Sequence, residues 1–153
     1  MNPMPESATV ARRVRVRGRD VQSLHERGLT WVALEPIPGL ACAADITMRR
    51  LPGLGLQSGL VRGNRHRHTR ADVADGNDDV SLHVNLSGVS IVSGRGAEIV
   101  LRDSDAVLFS YAEPRLVTRP GTVDHRIVRL PRASLAPLVR DIDSAMLLRI
   151  PRT

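Results

Sequence analysis

Lysine is missing altogether from this 153-residue chain, so its formal charge of +6 rests on 22 arginines set against 16 carboxylates. Such one-sided usage reflects genome composition more than selection for guanidinium chemistry, and it is discounted as a binding signal. Six arginines lie between Arg12 and Arg27 and four between Arg62 and Arg70. Tracts of this sort attract phosphates, but neither is interleaved with the aromatics that a single-strand binder stacks against bases. Solvated surface is the expected role, and direct DNA binding by this chain alone is not expected. Aromatics are nearly absent, with one Trp, one Tyr and one Phe. The core must therefore come from Val, Leu, Ile and Ala, which bury less area per side chain. A single cysteine, Cys42, excludes an intramolecular disulfide and a CxxC metal or redox site. It stands in the apolar run Leu40-Ala41-Cys42-Ala43-Ala44, where an inert buried thiol is expected. No apolar run has transmembrane length, and Arg12-Arg13 leads into no apolar stretch of a secretory leader. A soluble, cytoplasmic protein with no membrane association is expected.

What is present is turn grammar. Glycine and proline are plentiful, at 12 and 10 residues, which suits many short strands better than long helices. Residues 1–17 read as a flexible basic lead-in carrying Pro3 and Pro5. Gly18 to Arg27 is helix-compatible, with Asp20 as a cap, Val21 and Leu24 on one face and Gly28 as the stop. Period-two signals follow. Trp31 to Leu34 reads as a strand, as does Ala43 to Arg50 with Ile46 and Met48 on one side. Another short strand is expected near Leu54 to Val61. From Arg65 to Asp72, arginines and histidines alternate onto opposite faces.

Val80 to Val92 alternates most clearly. Val80, Leu82, Val84 and Leu86 are expected to point inward, with Ser81, His83, Asn85 and Ser87 outward, and Val89 and Ile91 resume the inward set after Gly88. Ser93 to Gly96 predicts a turn, and strands follow over Ala97 to Leu101 and Ala106 to Tyr111. Leu116-Val117 begins a short strand, Arg119-Pro120-Gly121 turns the chain, and His125 to Leu130 alternates once more. Strands at this spacing argue for an antiparallel sandwich or barrel. Leu135, Leu138, Val139 and Ile142 then recur at helical spacing after Pro131, with Pro137 placed to delay or kink the helix. Met146, Leu147, Leu148 and Ile150 form an apolar tail with no evident element to pack on.

Four segments carry a family resemblance: Asp78 to Gly88 (DDVSLHVNLSG), Gly94 to Leu101 (GRGAEIVL), Asp105 to Leu108 (DAVL) and Leu130 to Leu135 (LPRASL). Their order and spacing resemble the N-terminal domain of the arabinose-regulator (AraC/XylS) family of bacterial transcription regulators, over about two thirds of the chain. Trp31 falls where an aromatic often opens that domain, and His68-Thr69-Arg70 where the group often has an Arg-Thr-like segment. Ser104-Asp105 departs from the family's usual Gly-Asp, which changes a turn rather than the fold. The resemblance implies a mainly β, cupin-like double-stranded β-helix (jelly roll) with one or two short flanking helices. Residues 18–143 would form a sensing or dimerisation domain, and residues 144–153 a tail leading toward a DNA-binding module. The chain is accordingly expected to stop before the family's helix-turn-helix half.

Site expectations follow from this reading. Inside the barrel, Leu82, Val84, Leu86, Ile91, Val107 and Phe109 would line a pocket with polar guests His66, His68 or Arg70, for an effector of unknown identity. Leu135, Leu138, Val139, Ile142 and Met146 are candidates for a dimer interface, either in a homodimer or with a full-length regulator. His66-Arg67-His68 is similar to the His-x-His pair of cupin metal sites, and both imidazoles would face one side of a strand. The carboxylate expected near Ser81 and the later histidine expected near Val117 are both absent, with His83 and His125 as possible substitutes, so no metal or other cofactor is expected. No catalytic residue stands out either. Cys42 is in an apolar run, the Asp pairs occupy turns, and no nucleophile elbow is present. A non-enzymatic effector-sensing or dimerisation domain is the leading reading, and a small cupin enzyme with a degenerate histidine metal site the alternative.

Overall fold

Nearly all regular structure in the computed structural model, which describes residues 10–153, is strand. In chain order, β1 (Val10–Arg17) leads into a 3-10 turn (Gly18–Gln22) and α1 (Ser23–Glu26). Next come β2 (Ala33–Pro36), β3 (Ala43–Leu51) and the long β4 (Leu54–His68), then the one-turn α2 (Arg70–Val73). After these run β5 (Val80–Ser87), β6 (Ser90–Gly94), β7 (Ala97–Leu101), β8 (Asp105–Ser110) and the long β9 (Arg115–Leu130). Two single turns of helix, α3 (Arg132–Leu135) and α4 (Ile142–Ala145), precede the C-terminal tail. Among the described residues no helix is long and apolar enough to cross a membrane.

Every strand pairing is antiparallel, and β4 and β9 form the spine. Their two halves pair with different neighbours. The hydrogen-bonded order runs β1-β3-β4-β9-β5-β8, while the C-terminal half of β4 also carries β2 and the N-terminal half of β9 carries β6-β7. This is the double-stranded β-helix of a cupin-like fold. The crossover lies where Arg62 pairs Thr122 but Asn64 pairs Arg119, so Pro120 and Gly121 together oppose the single Gly63. A bulge of this kind bends a strand and re-aims its side chains. Up to Val61 the odd residues of β4 face the interior, and beyond Gly63 the even ones do, which turns Asn64, His66 and His68 inward. Gly63 takes φ +62°, and a Cβ there would stand 2.1 Å from the carbonyl oxygen of Ala41.

Three apolar clusters hold the layers together. Val21, Leu24, Leu29, Leu34, Ala44, Ile46, Val61 and Val123 close one end of the barrel. Val92, Leu101, Val107, Phe109 and Val117 fill the other. Outside, Ile142 and Met146 cover Val80, with Leu108 and Leu135 packed alongside. Cys42 is buried, as its apolar run predicted, and burial raises its thiol pKa.

Several expectations are corrected. The basic lead-in is a strand from Val10 onward, paired with β3, with Val14 and Val16 against the core and Arg13 and Arg15 on Asp45 at 3.0 and 3.1 Å. Residues 1–9 lie outside the described residues. The expected turn at Arg119-Pro120-Gly121 is instead the bulge within a continuous β9; Pro120, which has no N–H to donate, is accommodated at that irregularity. The expected C-terminal helix is broken into two single turns across Pro137. The apolar tail does find a partner: Ala106 pairs Ile150 and Leu108 pairs Met146, so the tail lies along β8.

Candidate functional site

The phase of β5 reverses the expectation from its apolar alternation. Ser81, His83 and Asn85 are buried in the interior, while Leu82 and Val84 are half-buried on the other face and Leu86 is exposed. Beyond Gly88 the buried residues are Ser90 and Val92, leaving Val89 exposed and Ile91 half-buried. The apolar side of β5 and β8 is the one covered by Ile142 and Met146, which removes the need for it to face the barrel. Leu82, Val84, Leu86 and Ile91 are therefore on the outward phase. Val107 and Phe109 are interior, with no exposure.

Of the polar candidates, His66 is buried at the cavity wall. His68 is also buried, but its Nε2 donates to the Tyr111 carbonyl at 2.8 Å, and it borders an outer groove instead. Arg70 opens α2 at the surface beside that same groove, behind a capping box in which Thr69 and Asp72 bond reciprocally. Of the interface candidates, Ile142 and Met146 are buried within the chain and Leu135 is partly buried with them, whereas Leu138 and Val139 are exposed.

The interior holds residues that the sequence reading passed over. Arg115 and Arg119 of β9 are buried, at 5% and 4% exposure, on the same face as Val117, Val123 and His125. Neither arginine forms a salt bridge among the described residues. Arg115 donates from Nε to Nε2 of His66 at 3.3 Å and from Nη1 to the Ser110 carbonyl, also at 3.3 Å. Its guanidinium lies 4.5 Å from the Phe109 ring centre and 4.8 Å from that of Tyr111, a cation–π contact with each. Arg129 sits 4.0 Å from the Tyr111 ring and 5.7 Å from Trp31, and pairs with Asp79 at 2.9 Å. All three aromatics of the chain thus gather on buried or half-buried arginines.

Between these groups lies a cavity of about 20 Å³, lined among others by Trp31, Gln57, His66, His83, Arg119 and His125. That is room for about one water molecule. Hydrogen bonding around it is incomplete. In its lining, Nδ1 of His83, Nδ1 of His125 and Nε of Arg119 are buried without a partner, and elsewhere in the interior so are both polar atoms of the Asn64 side chain and Nη2 of Arg115. Unpaired buried groups of this kind each carry a desolvation cost of about 1–3 kcal/mol. His83 Nε2 meets the Ser81 hydroxyl at 3.1 Å, and the Gln57 amide donates to Nε2 of His125 at 3.1 Å.

The electrostatics are one-sided. Burial, then Arg115 and Arg119, hold the His66 and His83 imidazoles well below their ordinary range. Burial, Arg119 and Arg126 bring His125 down to about 3. These histidines are neutral at physiological pH. Burial and the neighbouring Arg115 lower Arg119 to about 10, which leaves it a cation. A metal centre of the kind that the cupin likeness implies does not fit this donor set. Nε2 of His66 is taken by Arg115, and the cavity lining holds no carboxylate but does hold the cationic Arg119. Among the described residues no group of three or more His, Cys, Asp or Glu side chains is placed to hold an ion.

In three dimensions the chain resembles the AraC-like transcriptional activator CuxR, with a TM-score of 0.67 and 14% identity over 82% of this chain and 49% of that one. It therefore spans about half the length of that regulator. Weaker likenesses are to a Cupin 2 conserved barrel domain protein from Salinispora arenicola (TM-score 0.47, 14% identity, 61% of this chain and 81% of that one). A putative ethanolamine utilization protein from Salmonella typhimurium gives a TM-score of 0.48 at 12% identity, over 82% of this chain and 98% of that one. At such identities the likeness bears on the fold alone. No curated protein matches the chain in sequence. Residues 32–153 match the family described as the AraC-binding-like domain, and since that match spans most of the chain, the chain belongs to this family.

Proposed function

We propose that this domain is the effector-sensing part of an AraC-type transcription regulator working in the cytoplasm, and that it pairs with a second copy through its C-terminal segment. The observation that carries the reading is the barrel interior, where Asn64, His83, Arg115 and Arg119 present buried polar atoms without partners. A barrel that served only as scaffold would gain stability from apolar side chains at these positions. Polar groups held unpaired inside a fold are instead a reservoir of binding energy, because a ligand that meets them removes their desolvation cost. Pairing would use Leu138 and Val139, which are exposed beside the covered Leu135 and Ile142.

The test is a metabolite panel, both charged and neutral, read by thermal unfolding of the chain together with the emission of Trp31, which lines the cavity and is the sole tryptophan. At least one compound is expected to raise the melting temperature saturably and to shift Trp31 emission with the same midpoint. A panel in which nothing does both overturns the sensing role.

A further inference from the structure

From the unpaired cation in the barrel we infer that the ligand is an anion, a small molecule whose carboxylate or phosphate oxygens dock on the Arg119 guanidinium. This deepens the sensing role proposed above and rests on it. Arg119 is 4% exposed and forms no salt bridge among the described residues, and its Nε is buried without an acceptor. Carboxylates that could neutralise it are absent from the cavity lining. Its cross-strand partner is Asn64, whose side-chain amide is also buried and unpaired in both its polar atoms. Arg115, four residues along the same face of β9, adds a second positive charge. Arg115 differs in being partly provided for, by His66, the Ser110 carbonyl and two aromatic faces, so the open valence belongs to Arg119.

A neutral ligand such as a sugar would leave this charge uncompensated in a desolvated site, and a cation would be repelled by it. Guanidinium donors arranged as a fork match the paired oxygens of a carboxylate or phosphate. With room for about one water, the cavity admits only a compact head group, and even that requires its wall to move. Trp31 is the wall residue placed to report this. Its ring lies on Gly55, where a Cβ would come within 2.5 Å of it, and it also borders a depression of about 370 Å³ on the outer surface. The anionic head group enters past Trp31, and the remainder of the ligand lies toward that depression.

The experiment titrates the chain with sodium acetate and with sodium phosphate, each against sodium chloride at matched ionic strength, reading melting temperature and Trp31 emission. Either oxyanion should raise the melting temperature by about 3 °C or more at tenfold excess over its Kd, and the stronger of the two identifies the head group. The Arg119→Met chain should melt at or above the wild-type temperature without anion, since an uncompensated buried charge has gone, and should not respond to either salt. Arg119→Lys keeps the charge without the fork, and should respond with at least tenfold weaker apparent affinity; it decides the matter if the methionine variant does not fold. Arg49→Gln, exposed on β3, should respond as wild type. No rise beyond that of chloride with either oxyanion, or a response unchanged in the Arg119 variants, overturns the inference. A neutral metabolite that stabilises wild type and Arg119→Met alike removes the anion inference and leaves the sensing role standing.

Discussion

Removing an ionised side chain from water costs several kcal/mol unless a counter-charge or a set of acceptors replaces the lost hydration. Arg119 bears that cost, and burial, reinforced by the charges of Arg115 and Arg119, keeps the His66 and His83 imidazoles neutral. Their burial makes the fold less stable as pH falls. His125 titrates at about 3 in the folded chain but near its ordinary value of 6.5 when unfolded. The unfolded state therefore binds the extra proton as pH falls below that ordinary value, and stability falls with it. Between pH 7.5 and 5.5 this residue alone should cost about 1.4 kcal/mol, with His66 and His83 acting in the same direction. Urea unfolding at the two pH values checks this, and a free energy unchanged between them would contradict the burial of neutral imidazoles. These residues were only partly legible in the sequence. The His66-Arg67-His68 alternation is plain, but Arg115 and Arg119 come into phase with His125 only if β9 runs through Pro120-Gly121, where local turn grammar breaks it.

At the level of elements, the bulge at Gly63 decides which residues reach the interior. Without the phase change there, Arg65 and Arg67 would point into the barrel in place of Asn64, His66 and His68. Gly63→Ala should be costly on two counts, the left-handed φ and the approach to the Ala41 carbonyl. A loss of roughly 3 kcal/mol or more is expected, measured as a lowered denaturation midpoint with an unchanged m-value. A loss under about 1 kcal/mol would mean that the bulge relaxes easily. The hairpin between β6 and β7 was legible from composition alone, since Arg95-Gly96 joins the strands as a two-residue loop with φ +50° and +72°. By contrast β5 was legible as a strand but not in its phase. Alternation distinguishes two faces and does not say which one the rest of the chain will cover.

For the molecule as a whole, the tail converts two expected interface residues into core. Ile142 and Met146 pack on Val80, and the exposed apolar surface that remains near them includes Leu138, at 79% exposure, with Val139. If two copies pair here, Leu138→Asp should leave the melting curve close to wild type and shift the species seen by light scattering from dimer to monomer, with at least a tenfold weaker association constant. A wild-type chain that is monomeric at every concentration tested would refute pairing through this segment.

The strand-rich character, the turn positions, the aliphatic core and the family likeness all follow from residue order, because they depend on near neighbours along the chain: period-two alternation, Gly and Pro placement, and the four segments between Asp78 and Leu135. What folds against what was decided only in three dimensions. The C-terminal turns cover one face of β5 and β8, and that covering leaves Ser81, His83 and Asn85 for the inside. The bulge shared by β4 and β9 brings Asn64 opposite Arg119, residues more than fifty positions apart. A buried cation with no carboxylate beside it depends on such long-range pairing, and no local pattern encodes it.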